Sequence, residues 1–587
     1  MRLVATTGAA LGAVLWAALW TGGSTAARAD AGRTQAARQD WPMFAGAPDR
    51  NAVSGARGLP EWLDAAAVPR TGDGGAAPAA NLKWTAALGS QTYAGPVLAG
   101  GRIYVGINNA HPRDPNHKGD RSILACFRAD TGRFLWQLVV PKMKQIGNFN
   151  ADGPGYGTTS TPAVDGRRVY VVTGRGDVVC LDANGLADGN DGPFLDEADF
   201  LAVPLEHRMI EEKGVVKVVF RPGTAVPPGP RDADILWRYD PKEELKVWPQ
   251  DTCSSSPLVL GDLVYVGTSN GVDRSHKRVP SPRAPMLIAL NKLTGTLVAA
   301  DDSGIGANIF HGQWSSPSTG VVNGRALVFY GGGDGVCYAF DARPVADPAG
   351  GTGVLRTVWR CDANPADYRF RNGKPIAYRD KAGGPSEIIA TPVFHDGRVY
   401  VTIGEDPHHR AGHGCVTCID AAGAGDITTA GVVWRNRDVG RSMCSPVVAD
   451  GLVYVGETLG RFHCIDARSG RTLWTHTVQG GQIWGSALLA DGKVYQPCKK
   501  PPCMLVFAHG RDKKLLCTVK LPGEVSTTPA AVGNVLYLAG ARWLYAVAGT
   551  AAPPPEPPPD PRRDGRRKPP RPLLGERDEP TRPPRRP

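Results

Sequence analysis

This chain of 587 residues lacks any long block of one charge. Its formal net charge is +11, but from Thr550 onward 10 Lys and Arg residues stand against 6 Asp and Glu, so +4 of the surplus belongs to the C-terminal end. The other basic residues are interspersed with acidic ones, whereas nucleic-acid-binding proteins concentrate them in a patch or stripe. We therefore expect no nucleic-acid partner.

Long apolar runs are also missing, apart from one at the N-terminus. Arg2 precedes an apolar stretch, 3–20, and Ala27-Arg28-Ala29 supplies the small residues of a cleavage site. Gly and Thr interrupt the short stretch, which favours a cleaved signal peptide, 1–29, over a membrane anchor. No Cys follows it to carry a lipid. We expect a periplasmic or secreted protein with no transmembrane span after cleavage.

The 12 cysteines do not form the usual cofactor motifs. Cys415-x-x-Cys418 is not followed by the His of a c-type haem site, and no second Cys-x-x-Cys completes a zinc knuckle. An exported protein folds in a compartment where disulfides can form. Cys498 and Cys503 flank Lys-Lys-Pro-Pro, where a hairpin should turn, and we predict a cross-strand disulfide between them.

A short sequence motif repeats eight times along the chain: Ser/Thr-Pro, an apolar run, Gly, and Val-Tyr-Val-Gly. The clearest copy runs from Ser445-Pro446 to Trp474 and includes Cys464-Ile465-Asp466-Ala467. The other copies begin at Gly95, Thr161, Ser256, Ser316, Thr391, Gly485 and Thr528. A repeat of about 40 residues, rich in β-branched and aromatic residues, is typical of a β-propeller.

Each repeat predicts four strands, A to D, joined by tight turns in which Gly supplies a positive φ. One Trp recurs near the end of strand D, and we expect its indole to pack between blades while its N–H finds a backbone acceptor. The Cys before each Asp-Ala step should be a buried apolar residue. The recurrent residues are Trp136, Trp237, Trp359, Trp434 and Trp474, and Cys126, Cys180, Cys418 and Cys464.

The last repeat lacks strand D, and Asn81-Leu82-Lys83-Trp84-Thr85 resembles the missing strand. Pairing these ends would close the ring and remove its free edges. The prediction is an all-β fold: a monomeric eight-bladed propeller of four-stranded antiparallel blades, 81–548, closed by an N-terminal strand. An N-terminal extension, 30–80, precedes it. A Pro/Arg-rich tail, 549–587, should be disordered.

Two motifs identify a family resemblance. Asp40-Trp41-Pro42-Met43-Phe44-Ala45-Gly46, followed by Asp49-Arg50, is similar to the N-terminal signature of secreted pyrroloquinoline-quinone (PQQ)-like β-propellers. The spacing from Asp466 through Gly470 to Trp474 resembles the tryptophan-docking motif of that family. The resemblance covers roughly 40–548. It implies an eight-bladed propeller, and it leaves the activity open because one fold serves many functions.

Two groups share this repeat. The resemblance to quinoprotein alcohol dehydrogenases implies PQQ and Ca²⁺ in the central funnel and oxidation of an alcohol or sugar. The resemblance to non-enzymatic propellers, including an outer-membrane assembly-factor lipoprotein, implies a scaffold for envelope proteins. The chain lacks the adjacent Cys pair of the first group and the lipidated Cys of the second. We favour a binding or scaffold module, with a PQQ-dependent dehydrogenase as the alternative.

The irregular parts of the repeat indicate where binding occurs. Long B–C loops and D–A connections all lie on one face of a propeller, and long loops on a rigid scaffold commonly carry function. We call this the loop-rich face, and we expect a small-molecule ligand or an envelope protein to bind there. Its segments are 108–121, 141–157, 240–252, 269–283, 300–313, 362–386 and 405–414, whereas 183–234 and 343–355 should lie opposite.

Residues that enter strand A from the loop-rich face should ring the funnel mouth. Amide, indole and cationic side chains there would suit a planar quinone or a sugar, and they would equally satisfy loop backbone. The candidates for cofactor binding are Gln313, Trp314, Gln482, Trp484, Arg441 and His311. Asp251, Glu387 and Glu524 are candidate catalytic bases for hydride abstraction from an alcohol or oxygen ligands for Ca²⁺.

One loop concentrates side chains that bind transition metals. Imidazoles with carboxylates suit Zn²⁺ and similar ions, although exposed loop histidines are often simply solvated. The candidate ligands are Glu405, Asp406, His408, His409 and His413. A second loop carries His111, Asp114, His117 and Asp120.

Overall fold

The computed structural model describes residues 40–62, 81–143, 153, 155–202, 206–212, 215–221, 223–409 and 412–549. The predicted signal peptide and nearly all of the predicted tail lie outside these residues. None of the described helices is long and apolar enough to cross a membrane.

Eight four-stranded antiparallel blades form a β-propeller, as the repeat predicted. Strand A of each blade is innermost. Blades 1 to 4 contain β3 (Val97–Ala99), β4 (Arg102–Asn108), β5 (Arg121–Arg128) and β6 (Phe134–Pro141); β7 (Ala163–Asp165), β8 (Arg168–Val172), β9 (Val178–Asp182) and β12 (Ile235–Tyr239); β13 (Leu258–Leu260), β14 (Leu263–Gly267), β15 (Leu287–Asn291) and β16 (Leu297–Asp301); β17 (Ser318–Val322), β18 (Arg325–Gly331), β19 (Val336–Asp341) and β21 (Thr357–Asp362).

The second half of the ring repeats this order, and β2 (Leu82–Ala87) supplies the last strand of blade 8. Blades 5 to 8 contain β24 (Val393–His395), β25 (Arg398–Ile403), β26 (Cys415–Asp420) and β28 (Val432–Asn436); β29 (Val447–Ala449), β30 (Leu452–Gly456), β31 (Arg461–Asp466) and β32 (Thr472–Thr477); β33 (Leu488–Ala490), β34 (Lys493–Cys498), β35 (Cys503–Ala508) and β36 (Leu515–Lys520); β37 (Ala530–Val532), β38 (Val535–Ala539), β39 (Trp543–Ala548) and β2.

The predicted closure is confirmed. Strand β2 pairs antiparallel with β39, placing Thr85 opposite Tyr545, so both chain ends of the propeller meet in blade 8. The recurrent Cys126, Cys180, Cys418 and Cys464 are fully buried, as expected.

Several short helices and strands lie outside the four-stranded pattern of the blades. They are helices α1 (Glu197–Leu201), α2 (Pro241–Glu244) and α3 (Ala366–Arg369), the 3₁₀ turns Phe44–Gly46, Gly185–Ala187 and Ile305–Ala307, the hairpins β10 (Glu206–Glu212) with β11 (Val215–Arg221) and β22 (Phe370–Arg371) with β23 (Lys374–Pro375), and the strands β1 (Val53–Ser54), β20 (Gly353–Leu355) and β27 (Gly425–Asp426).

Three C–D insertions reach back to the preceding blade. β20 pairs parallel with β16, and β27 pairs parallel with β21. A parallel bridge between Gln137 and Asp232 does the same for the blade 2 insertion. These additions cover outer strands that would otherwise present unpaired backbone groups.

Side-chain hydroxyls join neighbouring blades near the axis. These hydrogen bonds explain why Ser or Thr precedes Pro in the repeated motif. The hydroxyl of this Ser or Thr accepts a hydrogen bond from the backbone N–H at the same position of the preceding blade. The donor–acceptor pairs are Gly95–Thr161, Thr161–Ser256, Ser256–Ser316, Thr391–Ser445 and Ser445–Ser486, at 2.9–3.1 Å. We call the five residues whose hydroxyls accept these bonds the hydroxyl belt; they are Thr161, Ser256, Ser316, Ser445 and Ser486.

The tryptophans join neighbouring blades further out, as predicted. The prediction of a backbone acceptor is wrong for Trp474, whose buried Nε1 has no hydrogen-bond partner among the described residues and whose ring instead stacks on Phe507 of blade 7 at 5.2 Å. In five other tryptophans the indole N–H donates to a backbone carbonyl of the next blade, just after its Cys-x-Asp step or the equivalent position. The pairs are Trp84–Ala129, Trp136–Ala183, Trp237–Lys292, Trp359–Ala421 and Trp434–Ala467, at 2.9–3.2 Å. Blade 3 has no such Trp, and the hydroxyl of Tyr265 donates to the Ala342 carbonyl instead.

The N-terminal extension spans the end of the channel opposite the loop-rich face. We call residues 41–54 the strap. Its backbone or side chains hydrogen bond to strand A of seven blades: Trp41 to Leu98, Pro42 to Val164, Pro48 to Thr319, Asp49 to Phe394, Asn51 to Val448, Ala52 to Leu489 and Ser54 to Ala531. Arg50 reaches the remaining one, blade 3. The strap therefore contacts all eight blades.

Arg50 lies fully buried at the centre of the strap. Its guanidinium donates to the carbonyls of Pro257 at 2.8 Å, Pro317 at 2.9 Å and Phe44 at 3.0 Å. Burial lowers the pKa of Arg50 to about 9, so the side chain is still charged at neutral pH. A planar group with five donors is suited to bind carbonyls from separate segments at once.

Arg50→Met should lower the free energy of unfolding by at least about 3 kcal/mol, because several buried carbonyls lose charge-assisted hydrogen bonds. Arg57→Met is the control, since Arg57 is an exposed residue of the same extension. Denaturant unfolding followed by Trp fluorescence measures both. Equal effects of the two substitutions would contradict this role of Arg50.

Gly470→Ala should destabilise more than Gly451→Ala in the same blade. Both glycines have nearly the same φ, +72° and +73°, so both variants carry the left-handed backbone cost of about 1–2 kcal/mol. A Cβ at Gly470 would lie 2.5 Å from Cδ2 of Trp434, whereas one at Gly451 meets nothing within 4 Å. Overpacking should add about 1–3 kcal/mol to Gly470→Ala alone. Thermal unfolding of both variants tests this, and indistinguishable losses would contradict it.

Candidate functional site

A funnel opens on the loop-rich face and narrows towards the strap. The cavity has a volume of about 340 Å³, and Phe44 of the strap forms part of its lining. Its wall includes the hydroxyl belt residues Thr161, Ser256, Ser316, Ser445 and Ser486, together with Thr391 and Thr528 at the same repeat position. A belt hydroxyl that accepts an interblade N–H keeps its own hydrogen to donate. The lower funnel is therefore a ring of neutral hydrogen-bonding groups.

Aromatic side chains form part of the upper wall. Trp484 stacks on Tyr93 with ring centroids 6.2 Å apart and an interplanar angle of 23°. Tyr156 contacts Tyr93 edge to face at 5.6 Å, and Trp314 lies elsewhere on the wall. The ammonium of Lys499 sits 3.0 Å from the Trp484 ring centroid, a cation–π contact that fixes the indole at the rim.

Two carboxylates, Asp251 and Asp406, line the funnel mouth. Burial and the neighbouring charge of Asp406 raise the pKa of Asp251 to about 6, against an opposing hydrogen bond from Gln250. Asp251 has a φ of +53°, so its backbone is held in the left-handed region. His408 also lines the cavity and meets Trp484 edge-on, with the ring centroids 6.1 Å apart.

Three imidazoles meet beside these carboxylates. His276 comes from the B–C loop of blade 3, His311 from the connection between blades 3 and 4, and His409 from the B–C loop of blade 5. One ring nitrogen from each lies within 4.8 Å of the other two. Burial lowers the pKa of all three, and for His311 and His409 the neighbouring histidines lower it further. The three are therefore neutral at pH 7.

Several predicted residues support the funnel mouth without lining the cavity. Gln313 is fully buried, and its amide bonds the backbone of Gly331 and Gly333 in blade 4. Glu387 is also fully buried and accepts a hydrogen bond from Tyr378 at 3.3 Å, and burial raises its pKa well above the usual range. Glu405 is buried beside Arg441, 4.0 Å away.

Other predicted residues lie further from the histidine cluster. Glu524 is partly exposed at the rim, 3.9 Å from Lys499 and from Lys500. Gln482 pairs through its backbone with Lys500. His413 stacks on Tyr368 at 4.2 Å. Among the described residues, no group of three potential metal ligands includes Glu387, Glu524 or His413.

The structure adds residues that sequence reasoning did not select. His276, Tyr156 and Tyr378 all lie in segments that were expected to be functional because of their length. Loop length identified those segments, but only the fold brings these three side chains to the funnel mouth. Tyr378 links two predicted residues, Glu387 and His409, because its hydroxyl lies 3.1 Å from Nδ1 of His409.

A hydrolase-like pattern lies next to the cluster. Gly267-Thr268-Ser269-Asn270-Gly271 has the Gly-x-Ser-x-Gly spacing of a nucleophile elbow, and Ser269 has a φ of +59°. No helix follows the run, and Ser269 is fully buried. A hydroxyl in this position cannot attack a substrate bound in the funnel.

Cys498 and Cys503 lie directly opposite each other on β34 and β35. Both are free thiols in the structure. The cross-strand register is what the predicted disulfide requires, and the disulfide itself stays a prediction.

The sequence matches the family model described as outer membrane protein assembly factor BamB over residues 119–344, 333–482 and 412–506. Together these matches span well over half of the chain. The chain belongs to this family of PQQ-like propellers. No curated protein sequence matches it.

Solved structures of related propellers resemble this PQQ-like propeller. BamB from Moraxella catarrhalis is 13% identical, with 80% of this chain and 98% of that chain covered and a TM-score of 0.44. The quinohemoprotein alcohol dehydrogenase from Comamonas testosteroni is 18% identical, with 90% and 83% covered and a TM-score of 0.42. A europium-containing methanol dehydrogenase is 15% identical, with 81% and 90% covered and a TM-score of 0.39. Sequence identities and TM-scores this low carry no argument about the activity of this chain.

The carboxyl of Asp334 has a strongly shifted pKa. Asp334 follows Gly333, whose backbone N–H donates a hydrogen bond to Gln313. Asp334 is buried, and burial raises its pKa to about 6 despite a hydrogen bond from Tyr338 at 2.6 Å. A raised pKa means that the folded state binds more protons than the unfolded state between pH 3.8 and about 6. The ionised carboxyl therefore costs stability above pH 6, by about 3 kcal/mol, and this cost disappears as the pH falls to 4.

Asp334→Asn should remove this pH dependence. We expect the variant to gain stability relative to the wild type at pH 7.5, and the gain to vanish at pH 4. Denaturant unfolding at the two pH values measures it, and the exposed Asp262→Asn controls for the loss of one charge. A gain that does not change with pH would contradict the assignment.

Proposed function

We propose that this protein is an exported binding module whose funnel takes a neutral, hydroxyl-rich small molecule, with a saccharide as the representative class. The observation that carries the proposal is the funnel lining: an aromatic wall above a ring of Ser and Thr hydroxyls. Sugar C–H faces pack on aromatic rings, and sugar hydroxyls exchange hydrogen bonds with serine, threonine and carboxylate oxygens. A concave site with aromatic walls and few directional polar groups is typical of small-ligand binding.

The lining argues against PQQ as a resident cofactor. PQQ is a planar quinone with three carboxylates, and such a ligand needs cations to replace its hydration. The residues that line the described funnel include Asp251 and Asp406, and no lysine or arginine. Lys499 lies on the Trp484 ring but is not among them. We therefore favour a binding module over a PQQ-dependent dehydrogenase.

Titration of the purified protein with a panel of neutral saccharides tests the proposal. The fluorescence of Trp314 and Trp484 should change on binding. Trp484→Ala should weaken binding about tenfold or more, since loss of an aromatic platform costs on the order of 1.4 kcal/mol. Trp484→Phe keeps a ring and should bind much more like the wild type.

A parallel arm tests the alternative. The protein is incubated with PQQ and Ca²⁺ and assayed for dye-linked oxidation of alcohols and sugars. We expect neither stoichiometric quinone binding nor turnover. Quinone binding with Ca²⁺-dependent oxidation would overturn the proposal. So would saccharide binding that Trp484→Ala leaves unchanged, because the ligand would then lie outside the funnel.

A further inference from the structure

The rings of three histidines contact one another at the funnel mouth. The rings of His276 and His311 are 4.7 Å apart and inclined at 81°, and those of His311 and His409 are 4.7 Å apart at 83°. His276 and His409 complete the triangle at 5.4 Å and 65°. The rings therefore converge edge to face on one point rather than stacking on one another.

A buried nitrogen of His311 is an independent observation that points to a ligand. Its side chain is 1% exposed, and its Nδ1 has no hydrogen-bond partner. The Asp406 carboxylate lies 3.9 Å from this nitrogen, which is beyond hydrogen-bond distance. The buried Oε1 of Gln250, the residue whose Nε2 lies 3.5 Å from the other nitrogen of His311, also lacks a partner. Leaving buried polar atoms unpaired is costly, so the site calls for a bound group.

Contacts around His409 orient it as a metal ligand is oriented. The Tyr378 hydroxyl lies 3.1 Å from Nδ1 of His409, and the buried Glu405 carboxylate lies 3.9 Å from it. Oxygen partners on one imidazole nitrogen fix the ring and leave the other nitrogen for a metal. At His276, the Nη1 atom of Arg379 lies 3.4 Å from Nδ1, and Arg379 is an exposed residue that can turn towards solvent.

Carboxylates complete the set of donors. Asp251, His311 and Asp406 form a second group whose ligand atoms lie within 4.8 Å of one another, and it shares His311 with the histidine triangle. Zinc with Zn–N distances of about 2.0–2.1 Å needs donor atoms about 3.4 Å apart in a tetrahedron, so modest side-chain rotation would close the site. Imidazole with carboxylate suits zinc and other first-row divalent ions, whereas Ca²⁺ prefers an all-oxygen set.

We propose that His276, His311 and His409 bind one divalent transition-metal ion at the funnel mouth, with Asp406 as the adjacent carboxylate ligand. The site joins blades 3 and 5 through three separate loops. It differs from the one-loop site that the sequence predicted: Asp406 and His409 are kept, and His276 and His311 take the place of Glu405, His408 and His413. It does not depend on the nature of the funnel ligand.

Zinc alone, added to the chelator-treated full-length protein, tests the proposal. Isothermal titration should give one equivalent bound, and cobalt(II) in its place should give the visible ligand-field bands of a low-coordinate nitrogen site. His276→Asn and His409→Asn should each weaken binding by about 100-fold or more, since even the loss of an outer partner costs 10–100-fold. Both residues are only partly buried, so both variants should fold.

His413→Asn is the matched control, because His413 lies in the same loop as His409 but stacks on Tyr368. It should bind zinc as the wild type does. Zinc should raise the thermal midpoint of the wild type and of His413→Asn, and should leave that of His409→Asn unchanged.

Three results would overturn the assignment. They are no saturable zinc binding by the wild type, wild-type affinity in His276→Asn and His409→Asn, and loss of binding in His413→Asn. Because no saccharide is present, failure of the metal site and failure of the proposed ligand site are separate outcomes.

Discussion

Interblade hydrogen bonding near the axis is the constraint on which the rest of the molecule depends. A propeller blade cannot bury both faces of its sheet alone, so each blade must join its neighbours around a closed ring. In this protein two sets of hydrogen bonds connect neighbouring blades. The hydroxyl belt links the innermost strands, where Ser256 both donates through its N–H and accepts through its hydroxyl. The tryptophans, such as Trp434 bonded to Ala467, link the outer parts.

The strap converts this ring into a funnel. An eight-bladed propeller has an axial channel, and residues 41–54 span its end opposite the loop-rich face by bonding strand A of every blade. Buried Arg50 holds the strap to blades 3 and 4 through the carbonyls of Pro257 and Pro317. Phe44 of the strap forms part of the lining of this cavity. The same belt that holds the blades together therefore also lines the site.

The funnel mouth is built from loops of different blades, and its chemistry follows from that. Asp251, His276, His311 and Asp406 belong to four separate segments and meet because the blades are arranged around one axis. Burial raises the pKa of Asp251, with a further contribution from the charge of Asp406, and burial lowers the pKa of His276 and His311. Neutral imidazoles beside carboxylates are well suited to a metal ion, and the hydroxyl-lined cavity below is suited to a neutral ligand. One face therefore offers two adjoining binding environments.

The repeat alone determined the eight blades, the four strands of each, the closure by β2 and the packing of the tryptophans between blades, because these depend on periodic residues and nearest-neighbour packing. It also indicated which face carries the long loops, and it selected Asp251, Trp314, Trp484 and His311. Only the tertiary structure decided that Gln313 and Glu387 are buried supports, that His276 joins His311 and His409, and that residues 41–54 span the channel. Those contacts join segments far apart in the chain, where no local spacing fixes the distance between side chains.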